Sequence, residues 1–550
     1  MKHDRRRCRC LASNSTCWPN ATIWQQFNKS VDGSLILVQP SAELCSGNPP
    51  DLNACTVAVI QWSNSKWRSD QVGAMQNHNW ENSSCSAFLL NITCTQGAVP
   101  RLAVNATTVE HIQTTLQFVS KYNLRLVMKT TGHDYLGRST AAGSLLLWLH
   151  YMKNMTLVRQ YTSCTGERIS NTIRVGAGVQ WGEVYAWLSA YNLTAIGGAS
   201  HTVASAGGYL QGGGHGPLTR WAGLAVDQVL EFDVITANGT RQTVNACQNK
   251  NLFWALRGGG PGTYAVVHSV VLRTYPSPTM IGAIYAVAAP NDTRYARFIQ
   301  DFTRFIPTLA DSGWAGYFSM VDLTIIISFF WPNGNLTVAR EQFNKLMQKN
   351  MDLKFTVNTT FTLPSFYAFY TAVLASSNPT GFNVLLGSRL IPETIVRNEP
   401  DKVANVLSKI KRQSKSGSNI LGHLVAGGKV SNKSINSSVN PAWRTALLHM
   451  VYVQSWPEGT SAADQQVGAR TVQTQVALLD TIAGGAQSAC YMNEADPNEP
   501  NWQQKYFGTQ EIYNKLKSIK NAVDPSGLFI CKNCVGSDDS TADLNCPLLM

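Results

Sequence analysis

The segment TTGHDYLGRST, Thr130 to Thr140, sets a histidine beside a glycine in what should be a tight, backbone-exposing loop. A second loop, GGYLQGGGHGPL, spans Gly207 to Leu218, and a third glycine run covers Gly258 to Gly262. Glycine has no Cβ, so such loops bring bare amide N–H groups up to a phosphate. Three together predict a cradle for a large, flat, charged nucleotide, with His133 placed where an imidazole can react with it. Each run alone is also what an ordinary turn looks like. The pattern departs from two familiar nucleotide motifs. Gly212-Gly213-Gly214 does not open a long helix after a strand, as a dinucleotide fingerprint must, and no Gly-Lys-Ser/Thr follows, as a P-loop requires.

The elements that must position these loops are legible as an α/β section. An apolar run from Leu124 to Met128 reads as the strand leading into the His133 loop. Thr107-x-x-Glu110 reads as a capping box, followed by the helix face Val109, Ile112, Leu116 and Val119. Further strands are expected at Leu145–Leu149, Ile173–Val175, Val229–Thr236 and Ala265–Leu272, with a turn at Asn238-Gly239 and a short helix from Leu252 to Arg257. After Pro276-Ser277-Pro278 the rhythm changes. Strands such as Tyr317–Phe330 and Leu447–Val453 alternate with helices near 293–309, 338–350, 401–413 and 461–483, which predicts an antiparallel sheet covered by helices. An amphipathic helix with Ile512, Leu516 and Ile519 precedes the tail. Residues 1 to about 95 read as loop-rich.

Bulk composition excludes several classes. With 550 residues, 44% hydrophobic and 14% charged, the chain has length for two or more domains with normal cores. No apolar run approaches the ~18 residues of a membrane helix. The net charge of +12 comes without a basic stripe interleaved with aromatics, so no nucleic-acid partner is expected. Thirteen cysteines and fourteen Asn-x-Ser/Thr sequons, among them Asn82, Asn91, Asn105, Asn154, Asn192, Asn238, Asn291 and Asn335, predict a secreted glycoprotein with disulfides. The odd cysteine total leaves at least one free or intermolecular. Cys531-x-x-Cys534 lacks a second matching pair for zinc and reads as a terminal disulfide or an unpaired tail. MKHDRRRCRC has no apolar core, so the expectation is that a leader peptide is missing from this version of the sequence.

Several motifs in order carry a resemblance. TTGHDYLGRS, GGYLQGGGHGPL, VLEFDVITANG (Val229 to Gly239) and ALRGGGPGTYAVV (Ala255 to Val267) resemble the PCMH-type flavin-binding domain of the vanillyl-alcohol-oxidase class. YMNEADPNEPNWQQKYFG (Tyr491 to Gly508), DPSGLF (Asp524 to Phe529) and the N-terminal CRC…CWP are similar to the fungal, secreted berberine-bridge-enzyme-like members. The resemblance implies a two-domain α+β fold: a Cys-rich segment at 1–56, a FAD domain at 57–278, a substrate domain at 279–487, and a berberine-like segment at 488–550 returning to the FAD domain. It implies FAD bonded covalently to His133 through the flavin 8α carbon. Thr131, Gly132, Asp134, Tyr135, Gly137, Arg138, Ser139, Thr202, Gly207, Gly208, Gly212, Gly213 and Gly214 would surround the cofactor. Many relatives add a cysteinyl bond at flavin carbon 6. Ser200 stands at that position here, and a hydroxyl is a poor substitute for a thiolate, so one bond is expected.

The resemblance also implies an oxidase that transfers hydride from a small-molecule alcohol or amine to FAD and reduces O2 to H2O2. Val203 falls where relatives gate oxygen, although a valine is as readily a packing residue. Tyr491 would take the substrate's proton as catalytic base, which requires a depressed pKa or a nearby cation; otherwise it is a hydrogen-bonding wall. Asn493 would bond the cofactor or hold its loop. His215 reads as a loop hydrogen-bonder with no partner spaced for a metal, and His449 and Arg444, on or next to a sheet strand of the second domain, read as surface or structural residues, with a place facing the substrate as the alternative. An oligosaccharide oxidase, an oxidative cyclase and a non-catalytic flavoprotein remain the alternatives.

Overall fold

The computed structural model describes residues 7–46, 51–89, 92–375 and 380–548. Its first sheet has strands Leu35–Leu37, Leu102–Asn105, Leu145–Trp148 and Leu126–Lys129 in that spatial order. The last three run parallel, which requires crossovers such as the helix Val109–Tyr122. That helix starts one residue past the expected box. Thr108, not Thr107, is the N-cap, and its hydroxyl accepts from the His111 amide. Ile112, Leu116 and Val119 are fully buried against Val104, Leu126, Leu145 and Leu147, as the spacing predicts.

The start of the chain is loop-rich, as its composition suggests, but it also carries regular elements that the composition does not announce. It holds the helices Ala21–Ser30, Leu52–Gln61 and Ser65–Asp70, and Leu35–Leu37 pairs antiparallel with Leu102–Asn105. The strand Leu35–Leu37 therefore belongs to the first sheet. Asparagine and aspartate caps hide these helices from a composition reading: Asn20, Asp51 and Asn64 each accept a backbone N–H at a helix start.

A second, antiparallel sheet runs Met155–Thr162, Arg168–Gly176, Val266–Arg273, Val229–Ile235, Arg241–Asn245. Asn238-Gly239 turns its last hairpin, with Gly239 at φ +82°. The third sheet has seven antiparallel strands in the order Lys354–Leu363, Met280–Ala288, Thr324–Pro332, Ala315–Val321, Ser418–Leu424, Ala446–Trp456, Asn383–Pro392. The helices Asp292–Ser312, Leu336–Lys349, Pro400–Lys409 and Ala462–Asp480 cover one face. Period-two alternation assigns the faces. Ile325, Ile327 and Phe329 pack under the helices, while Ile326 and Ser328 line a cavity on the other side.

The C-terminal segment leaves this sheet and closes on the smaller two. Lys520 Nζ donates to the Thr263 carbonyl at 2.7 Å, and Arg9 donates to the Ser526 and Gly527 carbonyls. Cys8 bonds Cys546, joining residues near the two ends. Five further disulfides pair Cys10–Cys17, Cys45–Cys55, Cys85–Cys94, Cys164–Cys247 and Cys531–Cys534. Cys531 and Cys534 are thus a disulfide, and the odd cysteine is the buried Cys490. Asn82, Asn154, Asn192, Asn238, Asn291 and Asn335 are exposed, Asn105 is half-buried, and Asn91 lies outside the described residues. Among the described residues no helix is long and apolar enough to cross a membrane.

Arg389 locks the large sheet to both its neighbours. Its guanidinium, 3% exposed, bonds Asp480 of a covering helix at 2.6 Å and Glu499 of the C-terminal segment at 2.8 and 2.9 Å. Removing it takes the cation from Glu499 and leaves Asp480 with Lys505 alone, whose Nζ lies 3.1 Å from Oδ1. Arg389→Met is expected to lower unfolding stability by about 3–5 kcal/mol, read as a shift in the chemical denaturation midpoint; a change within error would show that the three segments hold without it.

Candidate active site and cofactor cradle

A cavity of about 590 Å³ lies where the two smaller sheets meet the uncovered face of the large one. The His133 loop forms one wall. The strand Leu126–Lys129 delivers it, and Gly132 at φ +80° turns it, where a Cβ would lie 3.2 Å from the Ala74 carbonyl oxygen. His133 Nε2 lies 2.6 Å from the Thr202 hydroxyl. Enclosure pushes its imidazole down to about 3, so the ring is neutral at any ordinary pH.

Arg138 ties that loop to the C-terminal segment. Its Nε donates to Asp134 Oδ1 at 2.8 Å, its amide donates to Asp134 Oδ2, and Nη2 donates to Asn493 Oδ1 at 3.0 Å. Asn493 Nδ2 donates to the Gly208 carbonyl and to the Tyr491 hydroxyl, at 3.1 and 2.9 Å. Of the residues expected at the cofactor, Thr131, Gly132, His133, Asp134, Tyr135, Arg138 and Ser139 line the cavity from the first loop. Ser200, Val203, Gly207, Gly208 and His215 line it from the second region, and Tyr491 and Asn493 from the tail. Gly137, Thr202, Gly212, Gly213 and Gly214 stand behind the wall.

Those rear glycines do a different job from the one their sequence pattern suggests. A Cβ on Gly212 would lie 2.4 Å from Asn493 Nδ2, and one on Gly137 would lie 2.5 Å from the Trp80 ring. They let protein close on protein, and only the front of the loops offers amides to a ligand.

The far end of the cavity holds residues that sequence spacing does not gather. His423 and His449 are directly opposite each other on adjacent antiparallel strands, with their Nδ1 atoms 3.2 Å apart. Glu494 Oε1 lies 3.0 Å from His215 Nε2, and Oε2 lies 3.7 Å from His449 Nδ1. The expectation that His215 has no companion ligand is therefore corrected: His423, His449 and Glu494 reach it from 208 or more residues away. His449 is fully buried but faces this cluster, not a structural core. Arg444 is structural, clamping Asp227 across the domains at 2.8 Å through both Nη atoms. The alternation Leu448-His449-Met450, with the two apolar neighbours under the helices, is the signal that pointed His449 toward the cavity.

Burial alone would raise the Glu494 carboxyl, but His215, His449 and His423 hold it well below the usual carboxylate range. Burial pushes His423 down to about 4 and His449 well below an ordinary imidazole, Glu494 opposing in both cases. Burial and the charge of Glu494 raise the Tyr491 phenol above its ordinary value. Trp443 closes this end, its ring 5.6 to 5.9 Å from those of Tyr491, His449 and His215.

A FAD binding domain model matches residues 100–260, and a berberine and berberine like model matches residues 490–535. An uncharacterized FAD-linked oxidoreductase of Arthroderma benhamiae is 36% identical over 97% of this chain and 94% of its own. The FAD-linked oxidoreductase sor8 of Hypocrea jecorina is 34% identical over 96% and 91%. The crystal structure of the VAO-type flavoprotein MtVAO713 from Myceliophthora thermophila C1 superposes with a TM-score of 0.90 at 30% identity, covering 98% of each chain. The chain belongs to the VAO-type, berberine-like flavoprotein family. It is an enzyme, a FAD-linked oxidoreductase.

The cavity fits that cofactor on its own evidence. Arg138 Nη1 and Gln211 Oε1 are buried on the two loops without a hydrogen-bond partner, one a cationic donor and the other an acceptor. Thr131, Gly132, Gly207 and Gly208 bring backbone to the same space. Gly212→Ala forces Asn493 from its place, an overpacking cost of about 1–3 kcal/mol. The variant is expected to be purified with less FAD per chain, read from the flavin-to-protein absorbance ratio; full occupancy would show that Asn493 does not order the cradle.

Proposed function

We propose that this enzyme is an oxidase carrying FAD covalently through His133 alone, and that it takes a hydride from a small-molecule alcohol or amine of secondary metabolism and reduces O2 to H2O2. The observation that carries this reading is the neutral His133 imidazole on the cavity wall, with Nε2 against Thr202 and Nδ1 left to form a bond. When bound, FAD supplies the hydride acceptor and the route of the electrons to oxygen. Ser200 stands on the same wall without the sulfur a second bond needs.

The chain's own residues hold the substrate. Tyr317, Ile326, Leu374 and Leu421 give the substrate side an apolar wall, with Ser319 and Ser328 as its hydroxyls. This favours a compact, largely apolar molecule over an oligosaccharide, which needs a wide polar groove. The glucooligosaccharide oxidase of Acremonium strictum, at 19% identity and a TM-score of 0.68, shares the fold. Tyr491 accepts from Asn493 and keeps its own proton, so it holds the reacting oxygen by donating to it; the base role would need a positive charge brought close. Val203, half-buried on the wall, supports the oxygen-gating role. The disulfides and exposed sequons support a secretory route.

Acid precipitation should leave the flavin in the pellet, and His133→Ala should release it; release from the unmutated chain overturns the covalent bond. An ordinary histidine of pKa ~6.5 loses about tenfold of its neutral form between pH 7.5 and 5.5. The folded value of about 3 lies below that window, so the rate at which apo-protein bonds added FAD should stay nearly flat across it; a tenfold fall would show a solvent-like imidazole. In a peroxide-coupled screen of alcohols, amines and sugars, Tyr491→Phe should cut kcat about ten- to hundredfold, the worth of one hydrogen bond to a charged oxygen, with flavin content unchanged.

A further inference from the structure

We propose that His215, His423, His449 and Glu494 form a binding site for one divalent first-row transition-metal ion, with Zn2+ the best fit to the ligand count. The proposal stands apart from the substrate and the flavin bond proposed above, since it uses only the placement of these four side chains. Each residue offers one ligand atom, and the four lie within 4.8 Å of one another. A tetrahedral ion with bonds of about 2.0–2.1 Å needs ligand atoms about 3.3–3.4 Å apart. His423 Nδ1 and His449 Nδ1 are 3.2 Å apart, and Glu494 approaches His215 Nε2 through Oε1 at 3.0 Å and His449 Nδ1 and His423 Nδ1 through Oε2 at 3.7 and 4.0 Å, so one of its two oxygens serves as the ligand. The longer distances close by side-chain movement of about an ångström.

The cluster is built by the fold. The strand register sets His423 opposite His449 on one face. The second glycine loop supplies His215, whose carbonyl accepts from the Tyr209 hydroxyl at 2.8 Å. The tail supplies Glu494, three residues beyond Tyr491. Two adjacent strands, a loop and the tail thus converge their polar atoms on one point. The far nitrogens, His215 Nδ1 and His449 Nε2, are buried with no hydrogen-bond partner, so the polar contacts of both rings are directed into the cluster. Two Nδ1 atoms face each other at 3.2 Å, an arrangement that needs either one shared proton or a cation between two lone pairs. Imidazole and carboxylate ligands select zinc and its first-row neighbours over Mg2+ and Ca2+, which prefer all-oxygen sites. His215, His423 and Glu494 open on the cavity while His449 lies behind them, which gives an entry path for the ion.

The test uses the full-length, flavin-loaded enzyme without a polyhistidine tag. It is stripped with dipicolinate, incubated with Zn2+, exchanged into metal-free buffer and analysed by plasma mass spectrometry. One Zn2+ per chain is expected, and Co2+ in its place should give the visible bands of a four-coordinate ion. Glu494→Gln and His449→Ala should each weaken Zn2+ binding at least about 100-fold, since even outer partners of metal ligands are worth about 10–100-fold, with the flavin spectrum reporting that the fold is kept. His268→Ala, whose ring pairs with Asp233 on the second sheet, should bind as before. The proposal is overturned if the unmutated enzyme retains no stoichiometric ion after saturation with any of Zn2+, Co2+, Mn2+, Ni2+ or Cu2+. It is equally overturned if His268→Ala loses the ion while Glu494→Gln keeps it.

Discussion

The carboxamide of Asn493 holds the site together. One small group accepts from Arg138 of the first loop and donates to Gly208 of the second and to Tyr491 of its own segment. These partners lie 285 and 355 positions away along the chain. None of the three segments is a long regular element at that point, so none could fix the others by packing alone. The bare Cα of Gly212 makes the approach feasible, because any side chain there would occupy the space of the amide. Local backbone freedom is converted into long-range order, and the cavity keeps its shape between two domains.

Regular elements were legible in the sequence and convergence was not. Ile112, Leu116 and Val119 announced their helix by spacing, and the strands near Leu145, Val229 and Val266 by apolar runs, because those signals are local. Composition found the loops at the start of the chain but not its helices and strand, because the Asn and Asp caps there resemble loop chemistry. The His133 loop, Arg138, Tyr491 and Asn493 were legible through motif. His423 and Glu494 carried no motif, and His449 was read as structural. Their placement depends on strand register and on where the tail lands, both of which are properties of the finished fold. The glycines were found correctly as loops, but which of them face a ligand and which face protein depends on the neighbours each one meets.

Charge is arranged unevenly along the cavity. One end has an imidazole that burial keeps neutral, beside backbone amides and the free Nη1 of Arg138. The other end has an ionised carboxylate among three imidazoles and an aromatic cage. A nucleotide with anionic phosphates suits the first end, and a positive charge suits the second. The same enclosure that keeps His133 neutral makes Tyr491 a reluctant acid, so one dielectric environment acts in opposite directions on the two groups.

The bond between Cys8 and Cys546 has a topological consequence. Between those positions the polypeptide is a covalent ring. A protease that cuts an exposed stretch once would linearise the ring without separating it into fragments, and the segment bearing Tyr491 and Asn493 would stay tethered to the sheets it closes. For an enzyme read as working outside the cell, the first nick is then a change of connectivity and not a loss of parts.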